Sequence, residues 1–244
     1  MNLNPSTQRY LFEHKEIFNQ LSKLYKNNNL PNKILLSGEK GIGKSTLAYH
    51  LINFVLSENE DHSYDYKNNE INSENKSYKL IQNKSNPNCY LIDVLEDKKM
   101  IDINQIRDLI INLNKSSFNK KKRFVLIDNI ELLNINSINA LLKILEEPNP
   151  NINFILINNN KRALPTLKSR CLNFKVFLTK DQSIRIVNQI INNDINTIIN
   201  NKLFDYYTTP GKLLKLIKLS EEYNLYIVNF DLNTTLKTII KDKI

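Results

Sequence analysis

One short loop limits this chain to a single class of fold. Lys33-Ile-Leu-Leu-Ser37 reads directly into Gly38-Glu-Lys-Gly41-Ile-Gly43-Lys44-Ser45-Thr46, a G-x-x-x-x-G-K-S phosphate loop. An apolar strand precedes it and an apolar-periodic helix, residues 45–56, follows it, which is the context such a loop requires. The chain has only 4 glycines, and Gly38, Gly41 and Gly43 all stand here. Without a Cβ, the backbone can turn successive N–H groups inward around phosphate oxygens at the positive end of the next helix. Lys44 is expected on the β- and γ-phosphates and Ser45 on Mg²⁺, with Thr46 beside them. The bland alternative is a glycine turn that holds nothing, and the flanking strand and helix argue against it.

A second strand-and-helix unit supplies the other half of such a site. Arg123-Phe-Val-Leu-Ile-Asp128 is an apolar run ending on an acid, read as a buried parallel strand that delivers a carboxylate to the sheet edge. Asp128 is therefore expected to hold the same Mg²⁺ from the neighbouring strand. From Asn134, the residues Ile135, Ile138, Leu141, Leu142 and Leu145 keep one helical face apolar until Pro148 forbids continuation. Phe154-Ile-Leu-Ile157 ends on Asn158, and after a polar loop come Leu164-Pro-Thr-Leu-Lys-Ser169-Arg170-Cys171 and a fifth strand, Leu172-Asn-Phe-Lys-Val176.

The segments Asn139-Ala-Leu-Leu-Lys-Ile-Leu-Glu-Glu-Pro148 and Leu164-Pro-Thr-Leu-Lys-Ser-Arg-Cys171, behind Gly41-Ile-Gly-Lys44, resemble the clamp-loader subunits of bacterial DNA polymerase III. Within that family, part of the AAA+ class of P-loop NTPases, the likeness is to the delta-prime group and spans roughly residues 11–177. The resemblance implies an α/β fold with a five-stranded parallel sheet in the order 5-1-4-3-2, flanked by helices. A nucleotide-binding domain (residues 1–177), a small helical lid domain (178–222) and a remnant or start of a collar domain (223–244) are expected. It further implies ATP as ligand, gamma/tau-like and delta-like subunits as partners, and work on a sliding clamp at primed DNA. Asn158 falls at the position of a γ-phosphate sensor, or else caps the end of its strand. Arg170 falls at the position of an arginine finger that serves the adjacent subunit's site.

Two departures from the family's motor subunits bear on catalysis. Those subunits follow the strand-end aspartate directly with a glutamate that polarises water, whereas Asn129 follows Asp128, and Glu131 comes three residues on. If only that carboxylate is missing, Asn129→Glu should raise turnover. Where the motor subunits place a second phosphate-sensing arginine, this chain has Gly211; Lys212 follows, but a helix turns about 100° per residue and aims it elsewhere. The reading is thus ATP bound with little hydrolysis in cis. The alternative is an independently ATP-hydrolysing AAA+ ATPase or a gamma/tau-like motor subunit.

The remaining segments set limits. At 244 residues and a formal charge of +9, the chain can bury one large core plus a small second domain and favours anionic partners. No apolar run reaches the ~18 residues that span a bilayer, so a cytoplasmic location without membrane contact is expected. Residues 11–26 read as an amphipathic helix, and residues 57–88 as a long, polar, mobile insertion with a short helix near Tyr78. Many delta-prime relatives carry a zinc module there. Cys89 and Cys171 are the only cysteines, which forbids a four-cysteine site; His62 reads as solvated, and no zinc is expected. Ile101 to Leu113 reads as a helix capped by Asp102. Lys115 and the run Lys120, Lys121, Lys122 and Arg123 read either as a solvated loop or as a contact to the phosphate backbone of DNA.

Overall fold

The computed structural model describes residues 3–115, 119, 121–147, 149–159, 164–223, 225, 227–228, 231, 233–234 and 237. Pro148, Lys120 and most of residues 229–244 lie outside the described residues, and with them the expected helix stop, one lysine of the basic run and most of the expected collar segment.

Apolar runs of three or four residues form the centres of β1 to β4, and β5 alternates apolar with polar residues. Strands β1 (Lys33–Ser37), β2 (Cys89–Ile92), β3 (Arg123–Ile127), β4 (Ile152–Asn158) and β5 (Leu172–Lys175) pair in parallel in the order β2-β3-β4-β1-β5. This is the expected AAA+ order read from the other edge. β3 and β4 are buried along their whole length because helices cover both faces of a parallel sheet. The helices are α1 (Lys15–Lys26), α2 (Lys44–Leu56), α3 (Lys76–Gln82), α4 (Ile103–Asn114), α5 (Ile135–Glu146), α6 (Pro165–Lys168), α7 (Lys180–Ile191) and α8 (Pro210–Glu222). Asp102 caps α4 in a reciprocal box with Gln105, and Asn134 caps α5 through the Ser137 N–H.

Four expectations need correction. The first helix begins at Lys15 and not at Leu11, because Glu13 adopts a left-handed φ of 57° and the His14 N–H closes a tight turn on the Phe12 carbonyl. Ile135 does not join the buried face of α5: Leu141 and Leu145 are fully buried, Ile135 is 76% exposed, and its helical position lies roughly 80–120° away from theirs. The insertion is not a loose tail. Tyr64, Ile71 and Ile81 are buried in it, and Asn75 organises it: its side-chain oxygen accepts from the Tyr78 N–H (2.7 Å) and from Asn53 Nδ2 (3.0 Å), while its Nδ2 donates to the His62 carbonyl (2.8 Å). His62 itself is exposed.

The basic run is the fourth. Arg123 is the first residue of β3 and 6% exposed, and its Nη1 donates to the carbonyls of Leu113 (3.0 Å) and Lys115 (3.2 Å). A cation at the end of α4 satisfies orphan carbonyls and meets the negative end of the helix dipole. Lys121 does the same for α2 through the Leu56 carbonyl (2.8 Å) and lies 3.5 Å from Glu60. Arg123 is thereby withdrawn from any DNA-facing role.

The chain divides into two compact units, Asn4–Glu39 with Lys44–Val176, and Met1–Leu3 with Lys40–Gly43 and Phe177–Ile244. The first holds the sheet; its core includes Leu35, Val125, Phe154 and Leu156. The second has its own core of Val187, Ile195, Leu213 and Ile217. Within it the Gly211 N–H donates to the Gly41 carbonyl (2.8 Å) and Thr209 Oγ1 to the Lys40 carbonyl (3.0 Å). A Cβ on Gly211 would stand 2.8 Å from the Gly41 Cα, so an arginine there must displace backbone. Gly211→Arg is therefore expected to cost about 1–3 kcal/mol of stability in a denaturant titration.

His50 in α2 is fully buried with its ring nitrogens 2.8 Å from the Tyr64 hydroxyl and 3.1 Å from the Gln8 carbonyl. The carbonyl only accepts, so Nε2 carries the proton and Nδ1 accepts from Tyr64. Burial lowers its pKa from 6.5 to about 4. Between those values the unfolded chain binds more protons than the folded one, so stability rises with pH across that window and is fully present above it. Denaturation followed from acid to neutral pH should show a dependence on the order of 3 kcal/mol that His50→Gln flattens.

Candidate functional site

The parallel sheet gathers the strand ends on one edge. Ser37 leads there into the phosphate loop, Asp93 follows β2, Asp128 follows β3, and Asn158 and Asn159 close β4. Gly41 and Gly43 carry φ values of 89° and 92°, which an L side chain rarely adopts. The Gly38 N–H donates to the Asn158 carbonyl (3.3 Å), tying the start of the loop to β4.

The expected ligands of a nucleotide and its metal come together. The Ser45 hydroxyl donates to Asp128 Oδ2, so the two oxygens expected on Mg²⁺ already face one point. Lys44 is 2% exposed, and its ammonium donates to the carbonyls of Gly38 (3.0 Å) and Glu39 (2.6 Å). A buried ammonium that rests on loop carbonyls is placed to exchange them for phosphate oxygens, which bind a cation more strongly. Thr46 lies half-buried in the first turn of α2. These residues fit a nucleoside triphosphate with a hard divalent cation.

Beside them runs a side-chain network that the sequence did not announce. Asn129 takes the left-handed conformation (φ 53°, ψ 46°), which asparagine tolerates better than most residues. Its N–H closes on Asp128 Oδ1 (2.7 Å) and its Nδ2 donates to Asp93 Oδ1 (2.7 Å). Asn159 Nδ2 donates to Asn129 Oδ1 (2.9 Å) and to Asp128 Oδ1 (3.2 Å), and its N–H to Glu131 Oε2 (3.0 Å). Asn159 thus bonds the strand-end aspartate, one residue beyond the buried Asn158. Asp93 could have been found from its position, since it ends an apolar run as Asp128 does. Tyr49 of α2 lies close by, its pKa raised by burial and then by the charges of Cys89, Asp128 and Asp93.

Arg170 is placed at the other edge. It precedes β5, whose Leu172 pairs with Ile34 near the start of β1, whereas the phosphate loop leaves the end of that strand. The separation along β1 is roughly 10–16 Å at ~3.3 Å per residue. Arg170 Nη2 meets Glu146 Oε1 at 2.6 Å, and Nη1 donates to the Thr166 carbonyl (3.1 Å). Cys89 heads the edge strand β2 and Cys171 precedes the opposite edge strand β5, so the two thiols cannot share one metal. Burial raises them to about 12 and about 11. Among the described residues, no group of three or more His, Cys, Asp or Glu side chains could hold a metal, and no helix is long and apolar enough to cross a membrane.

Comparison with known proteins fixes the family. The family described as "DNA polymerase III, delta subunit" matches residues 13–179. The chain belongs to that family. Its relatives include the DNA polymerase III subunit delta' of Pseudomonas aeruginosa, 33% identical over 57% of this chain and 40% of the relative. The DNA polymerase III subunit gamma of Buchnera aphidicola subsp. Schizaphis graminum is 28% identical over 74% of this chain and 47% of that one. The chain therefore spans less than half the length of these two relatives. Among solved structures, the RuvB Holliday junction branch migration motor of Thermotoga maritima superposes with a TM-score of 0.53, at 14% identity over 97% of this chain and 72% of the other, a likeness of fold.

In this member of the delta-subunit family, the position after Asp128 cannot simply take a glutamate. Asn129→Glu would put a longer acid in a left-handed backbone beside the carboxylates of Asp93 and Asp128 and lose the amide donor. The expected outcome is about 1–3 kcal/mol of lost stability by thermal denaturation and no gain in phosphate release, against the simple substitution logic.

Proposed function

We propose that this chain is a clamp-loader subunit of the delta-prime type. It binds ATP with Mg²⁺ through Gly38, Gly41, Gly43, Lys44, Ser45, Thr46 and Asp128, turns it over little, and supplies Arg170 to the ATP site of an adjacent subunit. The partners are gamma/tau-like and delta-like subunits that together act on a sliding clamp at primed DNA. One observation carries the reading: Arg170 stands at the strand-start edge of the sheet while the chain's own phosphate loop stands at the strand-end edge. A guanidinium so placed cannot serve its own cradle, and its planar charged fork suits phosphate oxygens on another subunit.

Magnitudes favour release of Arg170 from its present partner. Its pair with Glu146 is partly exposed on the arginine side and more so on the glutamate side, and such a pair contributes about 0–1 kcal/mol. An arginine finger contributes roughly 10³–10⁵ in rate, about 4–7 kcal/mol. A catalytic phosphate therefore outcompetes the Glu146 carboxylate. Weak hydrolysis in cis is supported by Asn129, whose amide is committed to Asp93, and by Gly211, whose close approach to Gly41 leaves no room for an arginine.

Titration with a fluorescent ATP analogue should show binding that needs Mg²⁺ and Lys44, with little phosphate release by the chain alone; vigorous turnover without partners favours the independent-ATPase reading. In a reconstituted complex whose other ATP sites are disabled, Arg170→Ala should lower hydrolysis at the neighbouring site by about 10³-fold or more while assembly and the chain's own nucleotide binding persist. Equal rates with arginine and alanine would end the trans-acting assignment.

A further inference from the structure

The free edge of β2 borders a groove of 1130 Å³. Small-molecule sites occupy about 300–1,000 Å³, so this one is large enough for a segment of chain. Its floor is backbone. The Asn88 and Ile92 carbonyls accept from the Phe124 and Asp128 N–H groups of the neighbouring strand at 2.7 and 2.9 Å. Strand alternation then turns the peptide groups of Cys89 and Leu91 away from β3. Two contacts close the ends of that outward row: the Cys89 N–H donates to the Asn86 carbonyl (3.2 Å), and Gln105 Nε2 donates to the Asp93 carbonyl (2.8 Å). Between them the Cys89 carbonyl and the Leu91 N–H and carbonyl face the groove, and among the described residues β2 pairs with β3 alone. Edge strands are commonly blunted by lysine, proline or a bulge, and Cys-Tyr-Leu-Ile carries no lysine or proline.

Charge selects the occupant. The carboxylates of Asp93, Glu96, Asp97, Asp108 and Asp128 line the groove against the single ammonium of Lys84, in a chain whose formal charge is +9. The groove is thus a local reversal of the molecule's sign, which repels nucleic acid and attracts cations. Leu95, 47% exposed, adds an apolar rim for alternate side chains of a strand. We propose that the groove binds an extended basic segment of a partner protein, which adds as a further strand at Cys89 and Leu91 and sets its Lys or Arg side chains against these carboxylates. This inference rests on the sheet edge: the far end of the groove is lined by Ser45 and Asp128 of the nucleotide cradle, and the proposed strand takes the Cys89–Leu91 end.

The test uses the full chain and a short fluorescent peptide that alternates lysine with valine, with its glutamate–valine counterpart and a single-stranded oligonucleotide as the other arms. Anisotropy should show saturable binding of the lysine peptide, weakened by salt, and none of the other two. Asp97→Lys with Asp108→Lys should weaken it about tenfold or more. Leu91→Pro removes the outward N–H without taking a ladder bond from β3 and should also weaken it about tenfold, while Leu91→Ala keeps binding within about threefold. Unchanged binding of the ATP analogue and unchanged circular dichroism certify each variant's fold. As a readout that needs no variant, exchange of the Leu91 amide should slow in the complex. Equal binding of the lysine and glutamate peptides, binding of the oligonucleotide in their place, unchanged affinity after the double charge reversal, or a Leu91 amide that exchanges equally fast with and without the peptide would each overturn the proposal.

Discussion

The pairing of β1 between β4 and β5 is the constraint on which the site depends. Its register sets Ser37 opposite Asn158 on one side and opposite Lys175 on the other. Because every neighbour is parallel, this alignment together with those of β3 on β4 and β2 on β3 fixes which residues share an edge. The phosphate loop, both strand-end aspartates and the paired asparagines come to one side, and Ser169-Arg170-Cys171 to the other. A one-residue slip would carry every side chain of β3 and β4 to the opposite, differently packed face, so the packing of Phe124, Phe154 and Leu156 enforces the geometry of the polar edge.

Polar atoms at that edge are positioned by short side chains acting on backbone. Asparagine does much of this: Asn129 bends the chain after Asp128 and Asn159 links it to β4, while elsewhere Asn75 assembles the insertion and Asn134 opens α5. An asparagine offers both donor and acceptor without charge, so such a network can be satisfied internally without changing the electrostatics of the neighbouring cradle. The carboxylates that remain, Asp128 and Glu131, are each held by at least one N–H donor.

The strand order came from the family resemblance, whereas the strands and the phosphate loop were legible because each rests on a local signal: an apolar run, a turn residue or a spacing. Asp102 as a cap was legible for the same reason. What escaped depends on tertiary neighbours. Nothing local marks Asn159 as a partner of Asp128; that contact appears only where β4 and β3 end side by side. Arg123 looked like part of a basic run because its charge is visible in sequence and the carbonyls at the end of α4 are not. The insertion read as loose because its composition is polar, whereas its order comes from buried Asn75 and from Tyr64 packed against Phe18 and Phe54.

The contact between Glu146 and Arg170 joins the two segments on which the family resemblance was read, Leu-Leu-Lys-Ile-Leu-Glu-Glu and Ser-Arg-Cys. They lie on separate elements, at the end of α5 and just past α6, yet they form opposite sides of one joint. An exposed pair of about 0–1 kcal/mol holds the arginine near the end of α5 without locking it there, so the joint works as a resting place and not as a brace.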